Sequence, residues 1–284
     1  MEGEKLQKVL AIEGYGSRRE IESWIRSGRV LVNGNVAHIG QRIVLRDQVE
    51  VDGREINFTS HQTPRVLIYN KPAGKICTRK DPEHRPTVFD DLPSLSGGRW
   101  VSVGRLDYQT TGLLLFTNDG VLANRMMHPS TGLDREYAVR VDGILTSDQE
   151  LVLQEGVVIE GEKMGLSDLR YYNGRGTNHW YHAVLLEGRN REIRRLFESI
   201  GFKVTRLKRV RFGPVILPST ITRSQVLELG AKDLTGLYTI LNMPNRNFKK
   251  KTAQFSNRVG KKHFTKTCLI PYPQISLSSS RQAE

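Results

Sequence analysis

Asp107 is the side chain of this sequence best placed to carry out chemistry. It lies in the run Val103-Gly104-Arg105-Leu106-Asp107-Tyr108-Gln109-Thr110-Thr111-Gly112-Leu113-Leu114-Leu115-Phe116, an acid between two apolar, strand-like stretches. Such a junction is where a sheet presents side chains to a cleft. A carboxylate there can attack an electrophilic carbon or remove a proton. Spacing alone favours a plainer role, because Asp readily bonds its own backbone and caps a turn. A second charged stretch, from Arg189 to Arg211, holds seven arginines and two lysines against only Glu192 and Glu198. A solvated face normally mixes both signs, so this density, Arg189 and Arg191 included, suits the phosphates of a folded nucleic acid.

The elements that position these groups are legible in outline. Leu6, Val9 and Leu10, then Ile21, Trp24 and Ile25, recur at helical spacing, and Ser17 with Glu20 forms a capping box at the second helix start. Arg18 and Arg19 stand at that start, where free amides already favour a phosphate. Asn33-Gly34 and Asp52-Gly53 mark turns between short strands, so residues 1–60 form a small helix-and-sheet module, followed by a polar linker. Beyond it, strands are expected at 66–69, 100–103, 113–116, 137–141, 180–186 and 203–210, with helices over 121–127 and 192–200. On the latter, Ile193, Leu196 and Phe197 share an apolar face, with Arg194 at its edge and Arg195 beside it. The expected class is α+β, a mixed and largely antiparallel sheet over 61–245, with a basic, disordered tail over 246–284.

Composition narrows the partner. Lys and Arg total 43 against 30 Asp and Glu, a formal charge of +13, which points to a polyanion. No stretch approaches the roughly 18 apolar residues of a membrane span, and the first residues lack the apolar core of a signal peptide. A cytoplasmic nucleic acid, not a membrane, is therefore the expected partner. Cys77 and Cys268 have no zinc or disulfide spacing, and His179 and His182 fall on opposite faces of a strand with no third ligand, so no metal is expected. Asn57-Phe58-Thr59 fits a glycosylation acceptor only by accident, since nothing suggests secretion.

Taken whole, the run from Val103 to Gly120 resembles the signature of the bacterial pseudouridine synthases that modify ribosomal RNA, in the branch typified by the small-subunit uridine enzyme. The resemblance implies that Asp107 is the essential catalytic residue, because Gly104, Arg105 and Leu106 match with it. Tyr69-Asn70-Lys71-Pro72-Ala73-Gly74 matches the opening of the catalytic domain, and Arg135-Glu136-Tyr137-Ala138-Val139 the second block, which implies that Tyr137 lies against the target base. Glu187 to Phe197 resembles the last motif, which implies that Arg194 pairs with Asp107 and, by its charge, keeps the carboxylate ionised. The N-terminal module is similar to the small RNA-binding module shared by a small-subunit ribosomal protein, tyrosyl-tRNA synthetases and these synthases. Glu4 to Ala11 and Gly16 to Glu22 look closest to members acting on the large subunit, making 23S rRNA the first expected substrate and 16S the second.

The reaction so implied breaks N1–C1′ of a uridine, turns the uracil and joins C5 to C1′ with no net change in composition, so no cofactor is expected. The base must leave its stack, for a few kcal/mol, and Arg105 is expected to fill the vacated space. Asp107 acts either as nucleophile at C1′ or as base toward C2′. The protein is expected to work as a monomer. Two rivals remain: a noncatalytic RNA chaperone, for which Asp107 would be dispensable, and a base-excising glycosylase, which would release free uracil.

Overall fold

The computed structural model describes residues 3–273 except 45, 59–62, 96, 245–247, 249–252, 258–259 and 265–266, with the backbone only for 253–257 and 260–264. The chain divides into two units. The first comprises Met1–Pro64 with Pro93–Val101 and Asn118–Gly120, the second the remainder.

In the first unit the helix Arg18–Arg26 starts as its capping chemistry requires. Ser17 Oγ accepts the Glu20 amide at 3.1 Å, and Glu20 Oε2 accepts the Ser17 amide at 3.3 Å, which satisfies two donors that a helix start leaves open. Ile21 and Ile25 of this helix and Leu6 and Leu10 of Leu6–Ile12 are buried with Val30, Ile43 and Val49. Four short strands run in the order Asn35–Val36, Val30–Val32, Val49–Val51, Arg54–Glu55, all antiparallel. Both outer hairpins turn through left-handed pairs, Asn33-Gly34 (φ 51° and 77°) and Asp52-Gly53 (φ 51° and 73°), the two-residue geometry whose twist matches the flanking strands. The Pro93–Val101 segment joins this unit through the Gly98 amide, which donates to Glu13 O at 3.1 Å.

The second unit is built on one long sheet in the order Asp168–Arg175, Asn178–Leu185, Arg135–Val141, Val204–Phe212, Thr111–Thr117, Val66–Lys71, Val226–Glu228, Ala253–Asn257, Gly260–Phe264. Neighbours along this path are antiparallel except Val204–Phe212 beside Thr111–Thr117. The fold is thus α+β with a largely antiparallel sheet, as the sequence predicts. The central strands Val66–Lys71 and Thr111–Thr117 are buried nearly throughout, which is why they read as unbroken apolar runs.

Several elements lacked such a signal. Asp168–Arg175 is an edge strand with only Leu169 buried, so no apolar alternation marks it. The 246–284 segment departs from the predicted disorder where it is described. Its strands Ala253–Asn257 and Gly260–Phe264 extend the sheet from Val226–Glu228. Thr267 Oγ1 and the Cys268 amide donate to Asp233 at 2.6 and 2.9 Å, and Tyr272 donates to Asp134 at 3.0 Å. A basic sequence poor in apolar residues gives no periodic signal, yet an open sheet edge orders it through backbone pairing. Residues 274–284 of that segment lie outside the described residues. Burial pushes the Cys268 thiol up to about 12, leaving it an unreactive packing group. Among the described residues no helix is long and apolar enough to cross a membrane.

Candidate active site

The residues from Val101–Val103 to Thr111–Thr117 form a loop whose backbone is fixed from below. Lys71, fully buried at the end of its strand, points its ammonium at four carbonyls: Thr110 at 2.9 Å, Pro72 at 3.0 Å, Asp107 at 3.1 Å and Tyr108 at 3.3 Å. Three N–H protons serve four acceptors, so one is shared. Burial pulls the Lys71 ammonium below its ordinary value, opposed by Cys77 and Asp107. The Thr110 amide donates to Asp107 O at 3.1 Å, the Gly74 amide to Tyr108 O at 3.0 Å, and Cys77 Sγ lies 3.3 Å from Leu106 O. The backbone on either side of Asp107 is thereby tied down. Its carboxylate accepts no hydrogen bond and joins no ion pair among the described residues.

Gly112, which follows the loop, cannot be another residue. It sits at φ 98°, and a Cβ there would fall 2.2 Å from Arg209 O. The missing side chain is what lets Val204–Phe212 lie parallel to Thr111–Thr117, bringing residues some hundred positions apart to one wall.

That wall and the loop enclose a cavity of about 250 Å³, lined by Arg105, Leu106, Asp107, Thr110, Arg135, Tyr137, Arg189, Arg191, Glu192, Leu207 and Arg209 among others. Tyr137, buried on Arg135–Val141, is paired across the sheet with Arg209. Arg105 is exposed, and Arg191 stands exposed with a left-handed backbone (φ 52°) at the start of the helix Glu192–Ser199. Of the predicted site residues, Asp107, Tyr137, Arg105, Arg189 and Arg191 therefore meet at one cavity.

Others behave differently. Arg194 forms no ion pair with Asp107 among the described residues: its Nη1 donates to Val204 O at 2.8 Å, and Nε is buried without a partner. Burial pulls its guanidinium below the ordinary value, Arg191 adds to this, and Asp107 opposes it, so the two charges still feel one another. Arg189 is held by Glu187 at 2.9 Å and Glu162 at 3.3 Å, Arg195 by Glu160 at 2.6 Å and Arg211 by Asp134 at 2.6 Å and Glu136 at 2.8 Å. Much of the predicted basic surface is thus neutralised by the protein's own acids, which linear charge counting does not register.

Sequence reasoning missed Arg135, Arg209 and Glu192 as cavity groups, and Lys71 as the clamp on the Asp107 loop. Burial pushes the Glu192 carboxyl up, opposed by the Arg189 amide, which donates to it at 2.8 Å. Only the register of Val204–Phe212 against Arg135–Val141 exposes Arg209, since nothing in the linear pattern sets it opposite Tyr137.

In the N-terminal unit Arg18 and Arg19 are exposed in the first turn of a capped helix. Arg29 is held by Asp52, its Nε donating at 2.8 Å. Arg99 adds a further cation: burial pulls its guanidinium down, opposed by Glu20 and reinforced by Arg18.

A long mixed sheet whose loop brings an unpaired carboxylate to a basic cavity, in a chain that also holds a small helix-and-sheet module, points to a class that comparison makes specific. Residues 65–199 match the model of the RNA pseudouridylate synthase family, and residues 4–49 the S4 domain. A crystal structure of a pseudouridylate synthase superposes with a TM-score of 0.58 and 25% identity, covering 82% of this chain and 99% of that one. The chain belongs to the RNA pseudouridylate synthase family.

Within it, the chain is similar to proteins called ribosomal large subunit pseudouridine synthase B. The one from Escherichia coli (strain K12) is 45% identical over 277 residues, covering 96% of this chain and 95% of its own. The one from Pseudomonas aeruginosa is 57% identical over 235 residues, covering 82% of this chain, and the match spans 61% of the Pseudomonas protein's length.

Proposed function

We propose that this protein isomerises one uridine of ribosomal RNA to pseudouridine, with 23S rRNA the first candidate substrate and 16S rRNA the second, acting as a cytoplasmic monomer without a cofactor. The observation that carries this reading is Asp107, whose carboxylate lines the cavity unpaired while Lys71 and the neighbouring amides fix its backbone. A carboxylate on a fixed backbone and without a partner of its own is ready to meet a reacting atom.

The target nucleotide leaves its stack and enters the cavity base first, and Tyr137 lies against the uracil. Asp107 then acts at the sugar, either bonding C1′ or taking the C2′ proton. Arg194 feels the Asp107 charge without pairing with it and adds positive potential beside the carboxylate. Arg105, exposed at the cavity, fills the space the base vacates. Arg18 and Arg19 hold phosphates, and Arg189 and Arg191 add contacts beside the cavity.

A carbodiimide primer-extension map of both ribosomal RNAs tests this, comparing cells that carry the protein with cells that carry the Asp107→Ala variant. One stop present in the first map and absent from the second, in 23S rRNA, is the expected result. A lost stop in 16S rRNA would move the substrate to the small subunit, and identical maps would leave an RNA-binding factor.

A further inference from the structure

Arg209 is the most deeply buried cation of the cavity wall, 3% exposed. Its Nε donates to Leu113 O at 2.8 Å, but its Nη2 has no partner, and no carboxylate pairs with it among the described residues. Phe212 lies under its guanidinium at 5.2 Å, and Arg135, stacked on the same ring at 4.9 Å, adds a second positive charge. A desolvated cation with an open donor is costly, and such a group in a cavity marks where an acceptor is to arrive. Thr110 Oγ1, also buried and unpartnered, lines the same cavity.

Resting on the reaction proposed above, we infer that Arg209 is a further catalytic residue, whose Nη2 takes a carbonyl oxygen of the flipped uracil and stabilises the charge released onto the ring. Breaking N1–C1′ sends its electron pair to the uracil, which becomes an anion with charge on N1, O2 and O4. C1′ is satisfied by an Asp107 oxygen, as an ester, or by the C2′ electron pair after Asp107 takes that proton. C5 of the turned ring then bonds C1′, displacing the carboxylate or returning the proton to C2′; the C5 proton leaves and N1 gains one, so the product is an isomer. Charge on the uracil arises in either route, and a fixed cationic donor beside it acts where charge develops.

The acceptor is the base and not a phosphate. Arg209 sits opposite Tyr137 on the buried wall, whereas the exposed arginines of this cavity, Arg105 and Arg191, suit the backbone.

Arg209→Lys is the decisive variant. It keeps the charge, but removes the guanidinium arm whose Nη2 is buried without a partner at the cavity wall. The readout is single-turnover tritium release from transcribed ribosomal RNA labelled at C5 of uridine, at saturating protein, beside filter binding and melting of the full chain. The expected result is a rate about 100-fold lower, with RNA affinity within about twofold of wild type and an unchanged melting temperature. A folded variant within about threefold of the wild-type rate would overturn the inference, as would a loss of affinity at an unchanged rate, which would make Arg209 a phosphate ligand. Arg209→Gln, which also gives up the charge, is expected to be slower still; equal rates for Gln and wild type would overturn it independently. A wild-type protein that releases no tritium would remove the proposed reaction itself, a different outcome from an active wild type beside an active variant.

Discussion

The arginines of the N-terminal helix start and the buried arginines of the second unit are alike in kind and opposite in circumstance. Arg18 and Arg19 project into solvent from a capped helix, whereas Arg209 and Arg194 are packed against their own chain, donating to Leu113 O and Val204 O. An exposed cation attracts a phosphate wherever it drifts, and its contribution is screened by salt. A buried one is fixed in direction and acts in a low dielectric, where it can favour one charge distribution over another. On the proposed function, affinity belongs to the first group and chemistry to the second, and substitutions in the two regions should separate these properties.

The largest loss is expected from Gly112→Ala. The added Cβ meets Arg209 O at 2.2 Å in a left-handed backbone, and a clash with backbone at such a site costs more than about 4 kcal/mol. Thermal melting should show the second unit opening well below the wild-type midpoint; an unchanged midpoint would mean the two strands can part without cost. Lys71→Met comes next. Four carbonyls lose their shared ammonium, at about 1–3 kcal/mol for each left unsatisfied, and pseudouridine formation should fall with stability because the Asp107 loop is no longer held.

Breaking the other side of the comparison needs Arg18→Ala with Arg19→Ala. The slope of log affinity against log salt should fall by about 2, while the single-turnover rate at saturating protein stays as it was. A changed rate with an unchanged slope would reverse the assignment of the two regions. The smallest effect is expected at Glu192, whose carboxyl burial pushes above its ordinary value. A raised folded value means its contribution is present below the unfolded value and lost as pH rises through the folded one. Glu192→Gln keeps an acceptor for the Arg189 amide, so its melting temperature should gain on wild type as pH is raised from about 4 to about 8. A gap that widens toward acid would contradict the sign.

Legibility in the sequence follows the range of the interactions. Ser17 and Glu20 bond within one turn, and Asn33-Gly34 closes its own hairpin, so both are readable from adjacent letters. The buried strands Val66–Lys71 and Thr111–Thr117 announce themselves as apolar runs. Asp107 was visible as a carboxylate at a strand junction, and only the pattern around it distinguished it from a turn cap. Lys71 and Arg209 were not visible as site residues, because a lysine clamping carbonyls at positions 107–110 and an arginine opposite Tyr137 exist only once register is set. The charge-rich stretch from Arg189 to Arg211 misled in part, since Glu160, Glu162 and Asp134, which neutralise three of its arginines, stand far off in sequence.

The most direct test of the division between binding and chemistry is the purified Asp107→Asn protein on transcribed 23S rRNA, with tritium release and filter binding measured on the same preparation. Asparagine keeps the size and the backbone contacts while removing the charge. Tritium release should fall by about 10⁴-fold or more, with RNA affinity equal to wild type or slightly higher because a negative charge near phosphate is gone. An Asp107→Asn protein that still makes pseudouridine at a wild-type rate would contradict the account, placing the chemistry on another residue of the cavity.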